Sequence, residues 1–568
     1  MLINGGPLNS APLNGSSSLV GVREPEYVVR GTSYLWRLRV TVGGVDMSDQ
    51  VLNSTDSDRE EGASGVGSLD LFIESGPVVP DEWQGLPVTF DFISTSAGVT
   101  VEERRYTARI ALPTWDSTLR VLSCDLSDQI QQQGEAQSVA VIDALTGGAW
   151  SEDVFEPVQG RSRWDYALER LSTRTASLDC SADGVLRVTD WYADTVPHFV
   201  FGPGTTIDQS VTVDMADATK ITNRVEIEVS YRYARLWQRN QVYSWIHPET
   251  DGSGGIGGFC NWRGFSSELP TIQMLEDAAR ENDQTLIATS YYLLPPTMPN
   301  PCGDGIPWTN IFTDLLLGAD WTAARRWTQS VTENYTIVLA TPAGEVEASR
   351  IVQRSGTSLE IEDQAADAWE SDPITDGTTG TTDLNDESRR SNFLTISMLL
   401  AQAELVSAHR QTTVSWQIPT PLARGIDLTH TLELDDQGVK ARGKCIRIVD
   451  NYDHAGGSAL TTLSIAVMRG GGTSDPLVPP AALGAADVSP GQADATALPT
   501  QISYFGGPDY DPDLDGFSGN ISVGGGPSVF PRDFVTPAEE LPEAWRDERV
   551  IDGEYLYRVG IPNDLLEL

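Results

Sequence analysis

Strict two-residue alternation is the feature that most narrows the folds open to this sequence. Val225, Ile227, Val229, Tyr231 and Tyr233 fall on one side of an extended chain, with Glu226, Glu228, Ser230 and Arg232 on the other. Tyr34, Trp36, Leu38, Val40 and Val42 oppose Arg37, Arg39 and Thr41 in the same way, and Gly43-Gly44 closes that run. A helix would scatter such residues around its axis, whereas a pleated strand gathers them on one half-buried face. Further short strands are predicted at Ser68–Ile73, Val88–Phe92, Tyr106–Ile110 and Leu119–Cys124, separated by Gly, Pro and Asp clusters. Short strands with regular turn signals indicate a barrel or sandwich, here ending near Gln133.

The period then changes. Ser162 and Asp165 form the start of a capped helix, and Trp164, Ala167, Leu168 and Leu171 recur at helical spacing. Ser177–Cys180 and Val185–Trp191 flank Asp183-Gly184, a pair suited to a tight hairpin turn. For the strand at Val225, the alternating segments Thr413–Ile418, Lys444–Val449 and Thr461–Met468 are the expected partners, making a second β domain. Residues 246–404 then form an insertion, with a Gly-rich loop, a helix near Ile272–Arg280 and an acidic tract from Glu360 to Asp386. A second helix, with Phe393, Ile396, Leu400 and Ala403 on its stripe, leads back into the strands. Past Arg469 the chain turns to Pro, Ala, Gly and Asp and reads as a linker with an extended tail. The tail regains Phe530, Phe534, Trp545, Tyr555 and Tyr557, which suits docking on a surface. The first residues, with Pro7-Leu8-Asn9 repeated as Pro12-Leu13-Asn14, are either an extended arm anchored by Leu8 and Leu13 or an unstructured terminus.

Charge limits the partners. In 568 residues, 81 acidic and 38 basic side chains leave a formal charge of −43. Such a chain repels phosphate backbones and anionic lipid, which excludes broad nucleic-acid or membrane-surface affinity but not a wall past which DNA slides. With 15 Trp, 16 Tyr and 14 Phe, it carries too much apolar surface for a solvated acidic polymer. Five cysteines exclude a disulfide-built scaffold. The start shows no basic leader and apolar core of a secretory signal, and the apolar stretch near Ser397–Ala408 is interrupted by Gln402 and Glu404. A soluble chain made in the cytosol is expected.

No motif predicts catalysis, a metal or a cofactor. Gly252-Ser253-Gly254-Gly255-Ile256-Gly257 has dinucleotide-site spacing, but Pro248-Glu249-Thr250-Asp251 precedes it where a buried strand is needed, so it reads as a loop. Asp511, Asp513, Asp515 and Gly516 imitate the opening of a calcium loop, yet Ser522 stands where the bidentate Glu belongs, so a solvated acidic turn is expected. Cys124, Cys180, Cys260, Cys302 and Cys445 are scattered, as are His198, His247, His409, His430 and His454, which gives no zinc or iron–sulfur spacing. Cys260 and Cys302 either pair within the insertion or act as small buried hydrophobes. No G-x-S-x-G is present, and carboxylates are too many to single out a glycosidase pair. Arg232, Arg235 and Arg239, interleaved with Tyr231, Tyr233, Trp237, Tyr243 and Trp245, are expected to anchor an acidic neighbouring protein surface rather than to stack on single strands.

Several blocks together resemble the baseplate hub (tail-tip hub) proteins of long-tailed bacteriophages, of the siphophage type. They are the Pro-Leu-Asn arm, Val45-Asp46-Met47-Ser48-Asp49, Pro80-Asp81-Glu82-Trp83-Gln84-Gly85, Tyr106-Thr107-Ala108-Arg109-Ile110, the run WDYALERLSTRTASLDCSADGVLRVTDW from Trp164 to Trp191, and GKCIRIVDNYDHAGGSALTTLSIAV from Gly443 to Val467. They cover about 1–235 and 405–470. The scattered cysteines do not match the iron–sulfur cluster of some relatives. The resemblance implies a mainly β (α+β) fold with two hub-type β-barrel or sandwich domains, an inserted α/β region and an extended C-terminal tail. The expected division is 1–24 arm, 25–135 first hub domain, 136–213 helix plus hairpin, 214–245 with 405–470 second hub domain, 246–404 insertion, and 471–568 linker and docking tail. It also implies a structural virion protein at the phage tail tip, assembled in the host cytoplasm. There it would be a homotrimer adapting a six-fold tube to three-fold tip and fibres, and a channel for DNA ejection. The implied partners are the distal tail protein, the C-terminus of the tape measure protein, and tail fibre or tip proteins, with DNA only in transit. No enzymatic activity is expected. Two other readings remain: a tail-associated wall hydrolase, motivated by the carboxylates, and an adhesin contacting the host surface through 246–404.

Overall fold

The computed structural model describes residues 24–29, 34–217, 219–247, 271–293, 316–346, 351–360, 380–484, 493–503, 511, 513–520, 533–537 and 539–568. The protein is mainly β, and a sheet of 15 strands among the described residues forms its body. One half of that sheet is the predicted first module: Leu35–Val42, Val51–Glu60, Val66–Phe72, Pro87–Ser96, Val99–Asp116 and Val121–Ser127. Leu38, Val40, Phe90, Tyr106, Ile110, Leu122 and Cys124 close its core, as their alternation requires. The other half holds Phe199–Phe201, Thr413–Pro419, Thr431–Asp436, Val439–Asp453 and Ser458–Ala466, around Phe201, Trp416, Leu434, Ile448 and Leu463. The two halves join edge to edge, because Ser54–Glu60 pairs antiparallel with Arg447–Asp453. Gly443 permits the tight strand approach in the second half; a Cβ there would lie 2.1 Å from the Ala466 carbonyl oxygen.

Between the halves in sequence lies the helix Arg163–Ser172, whose N-cap Ser162 accepts from the Asp165 amide. Ala176–Cys180 and Leu186–Asp190 follow as an antiparallel hairpin, with Gly184 at φ +75° in the turn. Both elements stand where the spacing predicted them.

The long strand Arg224–Ile246 has different partners from those expected. It does not join Thr413–Pro419, Val439–Asp453 or Ser458–Ala466; it pairs antiparallel with Leu316–Ala340 along its whole length. Ile351–Glu360 and Gly380–Leu384 flank it in the same seven-stranded sheet. The strand therefore belongs with the insertion rather than with 405–470. Alternation fixed its faces but carried no information about which alternating segment lies beside it. At about 3.3 Å per residue the ladder runs on the order of 75 Å. The helix Glu387–Ala408, capped by Asp386, lies beneath its near end, packing Phe393, Leu394, Met398, Ala401 and Leu405 against Val225, Ile227, Val229 and Tyr335. A second core at the far end gathers Tyr243, Trp245, Leu275, Trp321, Phe517 and Phe534, with the helix Ile272–Glu281 beside it.

The C-terminal segment docks on the protein itself. Arg549–Arg558 pairs parallel with Val331–Ala340, and Leu566–Glu567 adds to Lys440–Ala441 in the body sheet. The described part of the supposed linker is also held, since the Tyr557 hydroxyl donates to Val478 O (2.7 Å) and the Gly560 amide to Ser474 Oγ (3.0 Å).

Candidate functional site

A constellation of buried charge lies where the two modules and the helix–hairpin meet. Arg105, on Val99–Asp116, is 1% exposed and grips Asp450, also 1% exposed, through Nε (3.0 Å) and Nη2 (2.9 Å). Its Nη1 donates to the Ala423 carbonyl (3.0 Å), and Thr461 Oγ1 donates to Asp450 (2.6 Å). Burial opposes ionisation of Asp450, but Arg105 outweighs it and holds that carboxyl below its ordinary range. Nearby, Asp427 accepts from Arg59 of the first module (2.8 Å) and from Arg187 of the hairpin (2.5 and 3.0 Å). Burial again works against this carboxylate, and the two guanidinium groups depress its pKa far below normal. Arg187 Nε also reaches Asp179 (2.8 Å), and Arg410 joins Glu61 (2.7 Å) while lying 4.9 Å from the centre of the Trp191 ring. For Glu61 and Asp179 burial prevails, so both are pushed up. Apart from Arg187–Asp179 within the hairpin, these pairs bridge segments far apart in the chain. The arrangement combines two bidentate pairs, Arg105–Asp450 and Arg187–Asp427, with single contacts at Arg59, Arg410 and Asp179, and ties the two modules and the hairpin to one another.

Among the described residues the three cysteines are buried in packing. Burial pushes the thiols of Cys124, Cys180 and Cys445 up to about 12 and lowers His247 to about 4. Among the described residues no three or more His, Cys, Asp or Glu side chains come together as metal ligands would. Asp511, Asp513 and Asp515 make a turn in which the Asp513 amide donates to Asp511 (3.0 Å). The Gly252–Gly257 loop, Cys260, Cys302, Ser522, Phe530, the 1–23 arm and most of the 360–386 tract fall outside the described residues.

The basic–aromatic run Tyr231–Trp245 is core rather than the expected partner surface. Tyr231, Tyr233, Trp237, Tyr243, Trp245 and Arg235 are all buried. Trp237 stacks between Trp327 (5.8 Å) and Trp545 (5.5 Å), and Trp245 meets Phe534 edge-on (5.1 Å). Arg235 spans to Asp383 (2.5 and 2.9 Å) and to the Gly484 carbonyl. Glu333, 0% exposed, accepts from the Gly484 amide (2.7 Å) and the Tyr335 hydroxyl, while Arg390 holds the Pro480 carbonyl (3.0 Å). The strand lies between a helix and the returning tail, so its polar heads serve that strap. The strand Leu316–Ala340 carries a signal of its own, since Val331, Tyr335, Ile337 and Leu339 alternate within it.

No family model and no curated protein matches the chain. Its structural neighbours include phage tail and baseplate proteins. It is similar to a tail protein from Neisseria meningitidis at 10% identity and a TM-score of 0.36, over 76% of this chain and 96% of the other. A 43 kDa prophage tail protein from Shewanella oneidensis matches at 11% identity and a TM-score of 0.34, over 76% and 98%. A prophage tail protein from Listeria monocytogenes matches at 9% identity and a TM-score of 0.29, over 75% and 94%.

Proposed function

We propose that this chain is a structural protein of a phage tail tip, a hub in which three copies each contribute two β modules around an axis. The observation that carries this reading is the edge-to-edge ladder between Ser54–Glu60 and Arg447–Asp453, backed by the Arg105–Asp450 and Arg59–Asp427 locks. A rigid pair of modules in one chain lets three subunits present six sheet-built units to a six-fold tube while keeping three-fold symmetry below. The distal tail protein, the tape measure C-terminus and fibre or tip proteins are the partners this position requires. A charge of −43 per chain suits a channel wall, because an acidic lining repels the phosphates of DNA in transit and keeps it from sticking.

The native mass of the purified chain tests the reading. Three times the chain mass is expected, and a stable monomer at micromolar concentration overturns it. Peptidoglycan zymography addresses catalysis: no clearing is expected, and clearing abolished by a single carboxylate substitution would replace the structural role with a hydrolytic one.

A further inference from the structure

The strand Leu35–Val42 pairs on its inner side with Pro87–Ser96 along its full length, but on its outer side, among the described residues, only Thr41 and Val42 have strand partners. The outward main-chain groups of Val40 are taken by the Met47 amide (2.8 Å) and by Ser48 Oγ (2.9 Å). By the two-residue period, the main-chain groups of Trp36 and Leu38 point the same way, and among the described residues no strand covers them. They open into a cleft of about 760 Å³ walled by Tyr34–Arg39, by Asp46, Ser48 and Asp49, and by His454 and Gly457 of the second module. Leu35 stands 78% exposed at its mouth. An uncovered edge facing a cleft is a template for an added strand.

We propose that this cleft receives the N-terminal arm of a second copy of the chain, laid along Leu35–Arg39 as an extra strand; the exchange rests on the hub reading. Charge selects the occupant. The walls carry Arg37 and Arg39 against Asp46 and Asp49, a balance that favours neither an acidic nor a basic segment. Residues 1–22 contain no Asp, Glu, Lys or Arg, in a chain with 81 acidic and 38 basic residues. Ser16–Val22 also lacks proline, so every amide there is able to donate to an edge. Direction selects the copy. Glu26–Val28 runs parallel to Phe199–Phe201, and from Val28 the chain proceeds to Leu35 and its own cleft. The arm leaves from the opposite end, ahead of Glu26, so its own cleft is reached only by doubling back past the held strand, whereas residues 1–22 fully extended reach on the order of 75 Å toward a neighbouring copy.

A photoreactive amino acid in place of Leu19 of the full chain tests the exchange, with native mass measured in parallel. After irradiation, chain-to-chain products mapping to residues 34–49 are expected, at least tenfold above the non-irradiated sample. A product of single-chain size mapping to the same residues would overturn the exchange in favour of the chain's own arm. A trimer whose crosslinks fall elsewhere, or that yields none, would overturn the cleft assignment while leaving the hub reading standing. A monomeric parent chain would overturn both.

Discussion

At the scale of single residues, the protein places charge inside and gives nearly all of it a partner. Arg105 and Asp450 satisfy one another so fully that removing one leaves the other stranded. Arg105→Met should therefore cost about 3–5 kcal/mol by denaturant unfolding, and adding Asp450→Leu should recover most of that loss, since an apolar pair tolerates the same site. Glu333 shows why part of the interior was not legible. A glutamate in the middle of Val331–Leu339 breaks the apolar alternation, yet it is buried because a distant glycine amide and a tyrosine hydroxyl use it. Sequence spacing carries no trace of the Gly484 donor. His247 sets a pH response. Its folded pKa, about 4, lies below the ordinary 6.5, so between these values the unfolded chain binds the extra proton. Stability of the far end of the long ladder should be level above pH 7 and fall by on the order of 3 kcal/mol between pH 6.5 and 4. His247→Phe should flatten that slope in hydrogen-exchange measurements across the window.

At the scale of elements, short-range signals locate several strands and helices, and 413–418, 444–449 and 461–468 do share one sheet, but the partner of the long strand was not legible. The helix Arg163–Ser172 was visible because its start, its cap and its apolar stripe lie within ten residues of one another. Ser162→Ala should destabilise it by about 1 kcal/mol, observable as faster amide exchange in its first turn. The strand Arg224–Ile246 was equally visible as a strand, but its partner, 70 residues further on between Leu316 and Ala340, is one of several alternating segments that would satisfy its faces. The tail strand Arg549–Arg558 covers one edge of that ladder and packs Ile551, Tyr555 and Tyr557 on its core. A chain ending at Glu548 should lose that cover, bind a hydrophobic dye several-fold more strongly and aggregate at lower temperature, because Val331–Ala340 becomes an open edge. Unchanged dye binding and an unchanged melting temperature would contradict the strand's role.

At the scale of the whole molecule, the two-module body was legible as β-rich blocks, and the absence of a recognisable catalytic motif was a sequence reading in its own right. What the sequence did not reveal is that the modules share one continuous sheet, fixed by the ladder from Ser54 to Asp453 and the ion pairs beside it. That rigidity is central to the functional reading, since loosely tethered modules could not hold a ring in register. A density map of the purified assembly is the most direct test. The account predicts a threefold axis through an open pore, ringed by six β modules, two from each chain and joined as Ser54–Glu60 joins Arg447–Asp453. A single compact particle without that axis, or a ring in which the two modules of one chain lie apart, would contradict it.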